Sequence, residues 1–176
     1  MKLDDDDFTL FGLPERHALD RAEVDARWRQ LQAEVHPDRF AGDGAAAQRI
    51  AMQWAVRVNE AYQRLKDPLR RAAYLCERRG AAIQAHDNTA MPAAFLMQQM
   101  QWREALEEAA DAAAVAGLEA EVVAAERTML ADVARLLDEA GDAPAAAAQV
   151  RALMFLDRFR QDIGRRLDAL DPTHIR

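Results

Sequence analysis

The tripeptide His36-Pro37-Asp38 stands between two long helical patterns, and it constrains the fold more than any other feature of the sequence. In the first pattern, apolar residues recur at spacings of four, three and four, which places them on one face of a helix. They are Val24, Trp28, Leu31 and Val35. Pro37 has no N–H to donate and its ring disfavours helical geometry at His36, so the helix is expected to end there. We therefore predict an exposed loop over residues 38–44, in which Asp38 presents its carboxylate to solvent.

The start of this first helix is also marked. Asp20, followed three residues later by Glu23, is a variant of the capping box, whose carboxylates meet the unpaired N–H groups of the first turn. The sequence therefore predicts a helix from about Asp20 to His36. Arg29 lies two turns before His36 on the same side, away from the apolar face, and Arg27 lies on the other flank. These two cations predict a local basic patch beside the tripeptide.

A second amphipathic pattern follows the loop, again with spacings of three and four. Its apolar residues are Ala51, Trp54, Val58, Ala61 and Leu65. Two such helices joined by a short loop are expected to pack antiparallel, apolar face to apolar face. Taken alone, the tripeptide is also compatible with an ordinary helix stop and turn, since Pro and Asp are common in turns. The pair of helices around it favours a docking loop.

Short motifs around this hairpin occur in an order that resembles a J domain. They are Phe8-Thr9-Leu10-Phe11-Gly12-Leu13-Pro14, Asn59-Glu60-Ala61-Tyr62 and Asp67-Pro68-Leu69-Arg70-Arg71-Ala72-Ala73-Tyr74. More narrowly, the chain is similar to the HscB family of J-domain co-chaperones over nearly its whole length. That similarity includes the motifs His36-Pro37-Asp38-Arg39-Phe40, Ala94-Phe95-Leu96-Met97 and Arg151-Ala152-Leu153-Met154-Phe155-Leu156-Asp157. The resemblance implies an all-α, L-shaped protein, in which an N-terminal J domain (an antiparallel helical hairpin with short flanking helices) is joined to a C-terminal three-helix bundle.

The boundary between the two halves is expected near residues 80–90, where Gly80 and several polar residues interrupt the helical pattern. Pro92 then suits the first turn of a new helix. We predict a J domain at 1–79, a linker at 80–91 and a C-terminal domain at 92–176. Two further helices are expected at about 118–140 and 144–170, with Gly117 and Gly141 marking their starts.

The helix that follows Pro92 carries apolar residues on two faces. Phe95, Trp102 and Leu106 share the expected inner face. On the opposite side lie Leu96, Met97, Met100, Glu104 and Glu108. A bundle that covers both faces would make this second set part of the core, whereas a partner would make it an interface, and methionine is favoured at adaptable contact surfaces.

The HscB resemblance also implies partners and site residues. His36, Pro37 and Asp38 would dock on the ATPase domain of a DnaK-type chaperone, HscA, and stimulate its ATPase, while Arg27 and Arg29 steer the encounter. The residues that would hold the IscU-type iron–sulfur scaffold are Leu96, Met97, Met100, Gln101, Glu104, Glu108 and Phe155. Gln101 stands where relatives often carry an acid, so no salt bridge is expected there, whereas its amide is able to form a hydrogen bond.

Composition limits the remaining function classes. A net charge of −7 disfavours nonspecific nucleic-acid binding, which depends on neutralising phosphates with many cations. No apolar run approaches the length of about 20 residues that a membrane helix needs, and no signal-peptide pattern is present, so the sequence predicts a cytoplasmic protein.

Cysteine and histidine usage predicts neither a metal site nor a cofactor. Cys76 is the only cysteine, and its place on the apolar face of a fourth helix predicts a buried thiol. The four histidines lack the spacing of a carboxylate-bridged metal centre. The acidic run Asp4–Asp7 is expected to be solvated.

Two other functions are alternatives to the HscB-type role. A general J-domain co-chaperone with a different client would have the same docking loop but no scaffold site. A small helical enzyme is disfavoured, because the sequence has no nucleophile–base pairing, glycine-rich phosphate loop or metal-ligand spacing. We therefore predict that the chain is not an enzyme.

Overall fold

The computed structural model describes residues 2–84 and 90–170, and its regular elements in these ranges are all helical. They are α1 (Asp7–Phe11), α2 (Arg21–Val35), a 3-10 helix (Pro37–Phe40), α3 (Ala45–Lys66), α4 (Pro68–Arg78), α5 (Ala93–Glu108), α6 (Ala112–Asp138) and α7 (Ala143–Leu170). The all-α prediction is confirmed. None of the helices in the described residues has the combination of length and apolar character required to cross a membrane.

The chain divides into two compact units, Met1–Leu75 and Cys76–Arg176, and the division falls inside α4. The limits predicted from the sequence, 1–79, 80–91 and 92–176, stay a prediction, as does the L-shaped arrangement. Residues 85–89 of the predicted linker lie outside the described residues.

In the first unit, α2 and α3 form the predicted antiparallel hairpin. Arg21, at the start of α2, donates to the carbonyl of Lys66 and the hydroxyl of Tyr62 near the end of α3, so the helices run in opposite directions. Their buried inner residues are Val24, Val35, Ala51, Val58, Ala61 and Leu65. The predicted N-terminal cap is present, since the Asp20 carboxylate accepts from the N–H of Ala22 at 2.9 Å.

The prediction that the acidic run is solvated is wrong for Asp7, which is fully buried. Arg64 donates to its two carboxylate oxygens at 2.5 and 2.9 Å, and Nη1 of Arg57 lies 2.8 Å from Oδ1. The bond to Asp7 is the main reason that the pKa of Arg64 is raised. Phe8 and Phe11 anchor α1 in the core, and this anchoring carries the neighbouring carboxylate inward to its two cations.

In the second unit, α6 begins at Ala112, well before the predicted start near Leu118. Gly117 was expected to mark that start, but it lies inside the helix. The Asp111 carboxylate caps α6 by accepting from the N–H of Ala114 at 2.8 Å. The alanines that follow have the highest helix propensity, and they offset the cost of about 1 kcal/mol for an internal glycine.

Helices α5, α6 and α7 form the core of the second unit. The predicted inner residues Phe95 and Trp102 of α5 are buried, and Leu106 is half-buried. Along α7 one apolar stripe is buried at Leu153, Leu156, Phe159 and Ile163, and half-buried at Leu167 and Leu170. On α6 the buried residues are Val115, Leu118, Val122, Val133 and Leu137.

Arg151, the first residue of the motif at 151–157, is a buried cation of α7, and its burial was not predicted. Its Nε donates to the carbonyl of Ala90 at 2.7 Å, and its Nη1 donates to the carbonyls of Ala82 and Ile83 at 3.3 and 3.4 Å. A guanidinium group has five N–H donors in a fixed fork, so one side chain can serve several carbonyls at once. These bonds compensate for the burial of the cation.

Candidate functional site

The His-Pro-Asp turn lies where α2 gives way to α3. His36 has φ −59° and ψ 127°, outside the helical region, as expected for a residue that precedes proline. The chain then forms the 3-10 helix Pro37–Phe40 and turns through residues 41–44 into α3. The predicted loop over 38–44 is therefore helical in its first part, because the fixed φ of Pro37 suits the first position of a helical turn.

Within this turn the Asp38 side chain is 93% exposed and that of His36 is 53% exposed. The N–H of Asp38 donates to Nδ1 of His36 at 3.3 Å, which requires that nitrogen to be unprotonated. The same nitrogen lies 3.6 Å from Oδ2 of Asp38, a contact that becomes attractive when the imidazole is protonated. With Nδ1 unprotonated, the imidazole is held against the backbone by the N–H of Asp38, and the Asp38 carboxylate stays open to solvent.

Arg39 anchors the turn to the end of α2, a role that the sequence analysis did not assign. Its Nη1 donates to the carbonyl of Ala33 at 3.0 Å. The last carbonyls of a helix have no partner within the helix, and a cation just beyond the end is a known way to satisfy them. The position of Arg39, four residues after the last residue of α2, is the feature of the sequence that could have predicted this anchoring role.

The two predicted basic residues of α2 are both exposed, and the 3.6-residue period places them on different flanks. Arg29 shares its flank with His36, whereas Arg27 lies on the other side of the helix. Asp25 is an acid near this patch, and its pKa is lowered chiefly by a hydrogen bond from Arg21, with a smaller contribution from Arg29.

A polar seam joins α2 to α3 beside the Arg29 flank, and it was missed from the sequence. Oδ1 of Asn59 accepts from Nε1 of Trp28 at 3.0 Å and from Nε2 of Gln32 at 2.6 Å. Tyr62 stacks on Trp28 with ring centroids 4.6 Å apart, and its hydroxyl donates to Asp25 at 2.9 Å. These contacts fix the spacing of the hairpin that carries the turn.

The second predicted surface lies on α5. The exposed fractions are 40% for Leu96, 69% for Met97 and 70% for Met100, so the bundle leaves this face of the helix uncovered. Glu104 and Glu108 are also exposed. Gln101 is exposed and accepts a 3.3 Å hydrogen bond from Gln98. The structure thus places six of the seven residues predicted to bind the scaffold on the exposed side of α5.

Phe155 of α7, the seventh residue, is half-buried rather than freely exposed. It meets Phe95 edge to face with ring centroids 5.9 Å apart, and the guanidinium of Arg103 lies 5.0 Å from its ring centre. Phe155 therefore contributes to packing as well as to the surface.

A helical hairpin with an exposed His-Pro-Asp turn places the first unit in the class of J-domain co-chaperones. A family model described as the HSCB C-terminal oligomerisation domain matches residues 91–164. The co-chaperone protein HscB homolog of Bordetella petrii is 52% identical over 160 residues, which cover 90% of this chain and 94% of the relative. The homolog of Burkholderia mallei is 51% identical over 174 residues, which cover 97% of this chain and 99% of the relative.

Two solved structures show the same likeness. The chaperone HscB from Vibrio cholerae has a TM-score of 0.79 and 37% identity, covering 95% of this chain and 100% of its own. The human co-chaperone protein HscB has a TM-score of 0.86 and 27% identity, covering 94% of this chain and 83% of its own. The chain therefore belongs to the HscB family of co-chaperones. The family prediction is confirmed, as is the prediction that the chain is not an enzyme, because its named relatives are co-chaperones.

Proposed function

We propose that the chain is a co-chaperone of iron–sulfur cluster assembly, which stimulates the ATPase of a DnaK-type chaperone, HscA, and delivers to it an IscU-type scaffold. The His-Pro-Asp turn docks on the chaperone, and the exposed face of α5 holds the scaffold. We place this activity in the cytoplasm. The observation that carries the proposal is the exposed turn at the tip of a hairpin whose two helices are joined by side-chain hydrogen bonds, in a chain of this family.

Exposure and anchoring together support the docking role of the turn. The Asp38 carboxylate is almost completely exposed. The backbone around it is nevertheless held in place, because the N–H of Asp38 donates to His36 and the side chain of Arg39 donates to the carbonyl of Ala33. A partner that pairs with this carboxylate therefore orders few new groups, which lowers the entropic cost of docking. Arg27 and Arg29 add a positive field beside the turn, which speeds encounter with an acidic surface and weakens as salt increases.

Uncovered apolar area supports the scaffold role of α5. Leu96, Met97 and Met100 are adjacent on one exposed face, and methionine side chains adapt to the shape of a partner. Glu104 and Glu108 extend this face with two carboxylates, which suit a partner with cations at its rim. Gln101 adds an amide that can donate or accept a hydrogen bond.

The first test is the steady-state ATPase of the HscA-type chaperone with this chain present. Asp38→Ala should abolish the stimulation while far-UV circular dichroism stays unchanged. Asp43→Ala, which removes another exposed carboxylate a few residues later, is the matched control and should stimulate normally. Stimulation by the Asp38 variant at the wild-type level would refute the docking assignment.

The second test adds the IscU-type scaffold to the same assay and measures its binding by calorimetry. Met97→Ala combined with Met100→Ala should weaken binding by about tenfold or more, since buried interface anchors each contribute over about 1 kcal/mol. Met52→Ala removes a methionine of similar exposure, 59%, from the first unit and serves as the control. Phe155 is unsuitable for this test because it also packs against Phe95. Stimulation that the scaffold leaves unchanged would indicate a J-domain co-chaperone with a different client.

A further inference from the structure

A groove with a basic rim runs between α5 and α7, next to the proposed scaffold face. Its volume is about 490 Å³. Phe155 and the buried Phe159 contribute apolar surface to it. The charged residues that line it are Arg103, Arg158, Asp162 and Arg165. On α7, the helical period puts Phe155, Arg158, Asp162 and Arg165 along one stripe, so the groove follows the helix.

The charge of this groove opposes the charge of the whole chain. Three guanidinium groups face one carboxylate, in a protein whose net charge is −7. Arg165 forms an ion pair with Asp162. Arg158 is exposed, and the described part of the chain provides it with neither an ion pair nor a hydrogen bond. At least one cation of the groove is thus available to a ligand.

Arg103 connects the groove to the α5 face. Its guanidinium lies over the Phe155 ring, 5.0 Å from the centre. Stacking on an aromatic ring leaves the N–H groups at the edge of the guanidinium plane free to meet a carboxylate in a bidentate pair. On α5, Arg103 lies about 20° from Leu96 around the helix axis, at about 100° per residue. The apolar patch and the basic groove are therefore continuous.

We propose that this groove binds an acidic segment, with aspartate or glutamate side chains, of the same partner that covers Leu96, Met97 and Met100. The identity of the partner rests on the proposed function, but the chemistry of the groove does not. The complete face would then carry Glu104 and Glu108 on one side of the apolar patch and arginines on the other. A face with opposite charges at its two edges fixes the orientation of a bound partner, because the reversed orientation places like charges together.

Synthetic peptides test the chemistry without the scaffold. One fluorescein-labelled peptide alternates glutamate with leucine, and its counterpart alternates lysine with leucine. At low salt, fluorescence anisotropy should show tighter binding of the acidic peptide, although the net charge of the chain favours the basic one. Preference for the basic peptide, or equal binding, would overturn the proposal.

Two variants locate the binding. Arg158→Glu should weaken acidic-peptide binding by about tenfold, the loss expected for one hydrogen-bonded charge pair. Arg127→Glu makes the same change of charge at an exposed position of α6 outside the groove, and it should have little effect. Arg158→Gln removes the positive charge without introducing a carboxylate, so it should weaken acidic-peptide binding to an intermediate degree. This variant separates the loss of the arginine from repulsion by a new acid. Equal losses at residues 158 and 127 would refute the site.

The same variants, titrated with the IscU-type scaffold, separate the two proposals. Scaffold binding that is weakened by Met97→Ala and by Arg158→Glu supports both. Loss with Met97→Ala alone overturns the groove proposal and leaves the proposed function standing. If the scaffold does not bind to the wild type, the proposed function fails, while the peptide result still decides the chemistry of the groove. Sedimentation velocity measures whether the chain associates with itself. Self-association that Arg158→Glu disrupts would assign the groove to a second copy of the chain and overturn the proposal.

Discussion

Asp7→Ala should destabilise the first unit more than any other change to the acidic N-terminal run. Asp7 is fully buried and is paired with both Arg57 and Arg64. Its own N–H donates to the hydroxyl of Tyr74 at 3.1 Å, so the residue links α1, α3 and α4. Removing the carboxylate leaves two cations near the core without their counter-ion.

The size of the effect follows from the exposure of the two arginines. Removing one partner of a buried ion pair costs about 3–5 kcal/mol. The Arg57 and Arg64 side chains are 17% and 39% exposed, so water restores part of their solvation and the cost falls to about 2–3 kcal/mol. In a domain of this size, a change of 1 kcal/mol moves Tm by about 4–8 °C. The Tm of the first unit should therefore fall by about 10–20 °C.

Urea and thermal unfolding, followed by tryptophan fluorescence and far-UV circular dichroism, measure this loss. Trp28 and Trp54 lie in the first unit and Trp102 in the second, so a Trp102→Phe background restricts the fluorescence signal to the first unit. Asp4→Ala removes an exposed carboxylate from the same run, and its effect should stay within about 0.5 kcal/mol. The reasoning is refuted if Asp7→Ala is no more destabilising than Asp4→Ala.

Three further predictions concern other buried or bridging groups. Asn59→Ala should cost about 0.5–1 kcal/mol in urea unfolding, because the bonds from Trp28 and Gln32 are lost and water replaces them in part at this exposed site. An unchanged midpoint would contradict this. Burial raises the pKa of the Cys76 thiol to about 11 from 9.0, so the native thiol should resist Ellman's reagent at pH 8 until urea is added. Between these two pKa values the folded state keeps the thiol proton and the unfolded state loses it. The protonated thiol therefore contributes about 2–3 kcal/mol to the free energy of unfolding below about pH 9, and this contribution is lost as the pH rises through about 11. The loss of stability between pH 8 and pH 11, measured by denaturation, should be smaller in Cys76→Ala than in the wild type. Arg151→Met should lower stability by about 2–4 kcal/mol in thermal denaturation because three backbone carbonyls lose their donor, whereas Arg127→Met should be nearly neutral.

The parts of the fold that sequence predicted are those set by periodicity and by proline. The spacing of Val24 and Val35 gave the inner face of α2, and Pro37 gave its end within one residue. The internal Gly117 shows where local rules fail. A glycine weakens a helix by only about 1 kcal/mol, and the Asp111 cap together with packing of the buried Val115 outweighs that cost.

The contacts that sequence did not predict join residues far apart in the chain. Asp7 pairs with residues 50 and 57 positions later, and Asn59 accepts from side chains of another helix. No local pattern distinguishes a buried carboxylate from its solvated neighbours. For Phe155, the family resemblance implied a surface role, but only tertiary structure shows Phe95 and Arg103 against its ring.

Arg151 also bears on how this family can vary. A single guanidinium holds the carbonyls of Ala82 and Ile83 on one side of residues 84–89 and that of Ala90 on the other. With both ends held, doubling the length of the intervening segment adds only about 0.6 kcal/mol of closure entropy. Evolution can therefore insert or delete residues in this segment while α5, and the binding face that it carries, keeps its place on α7.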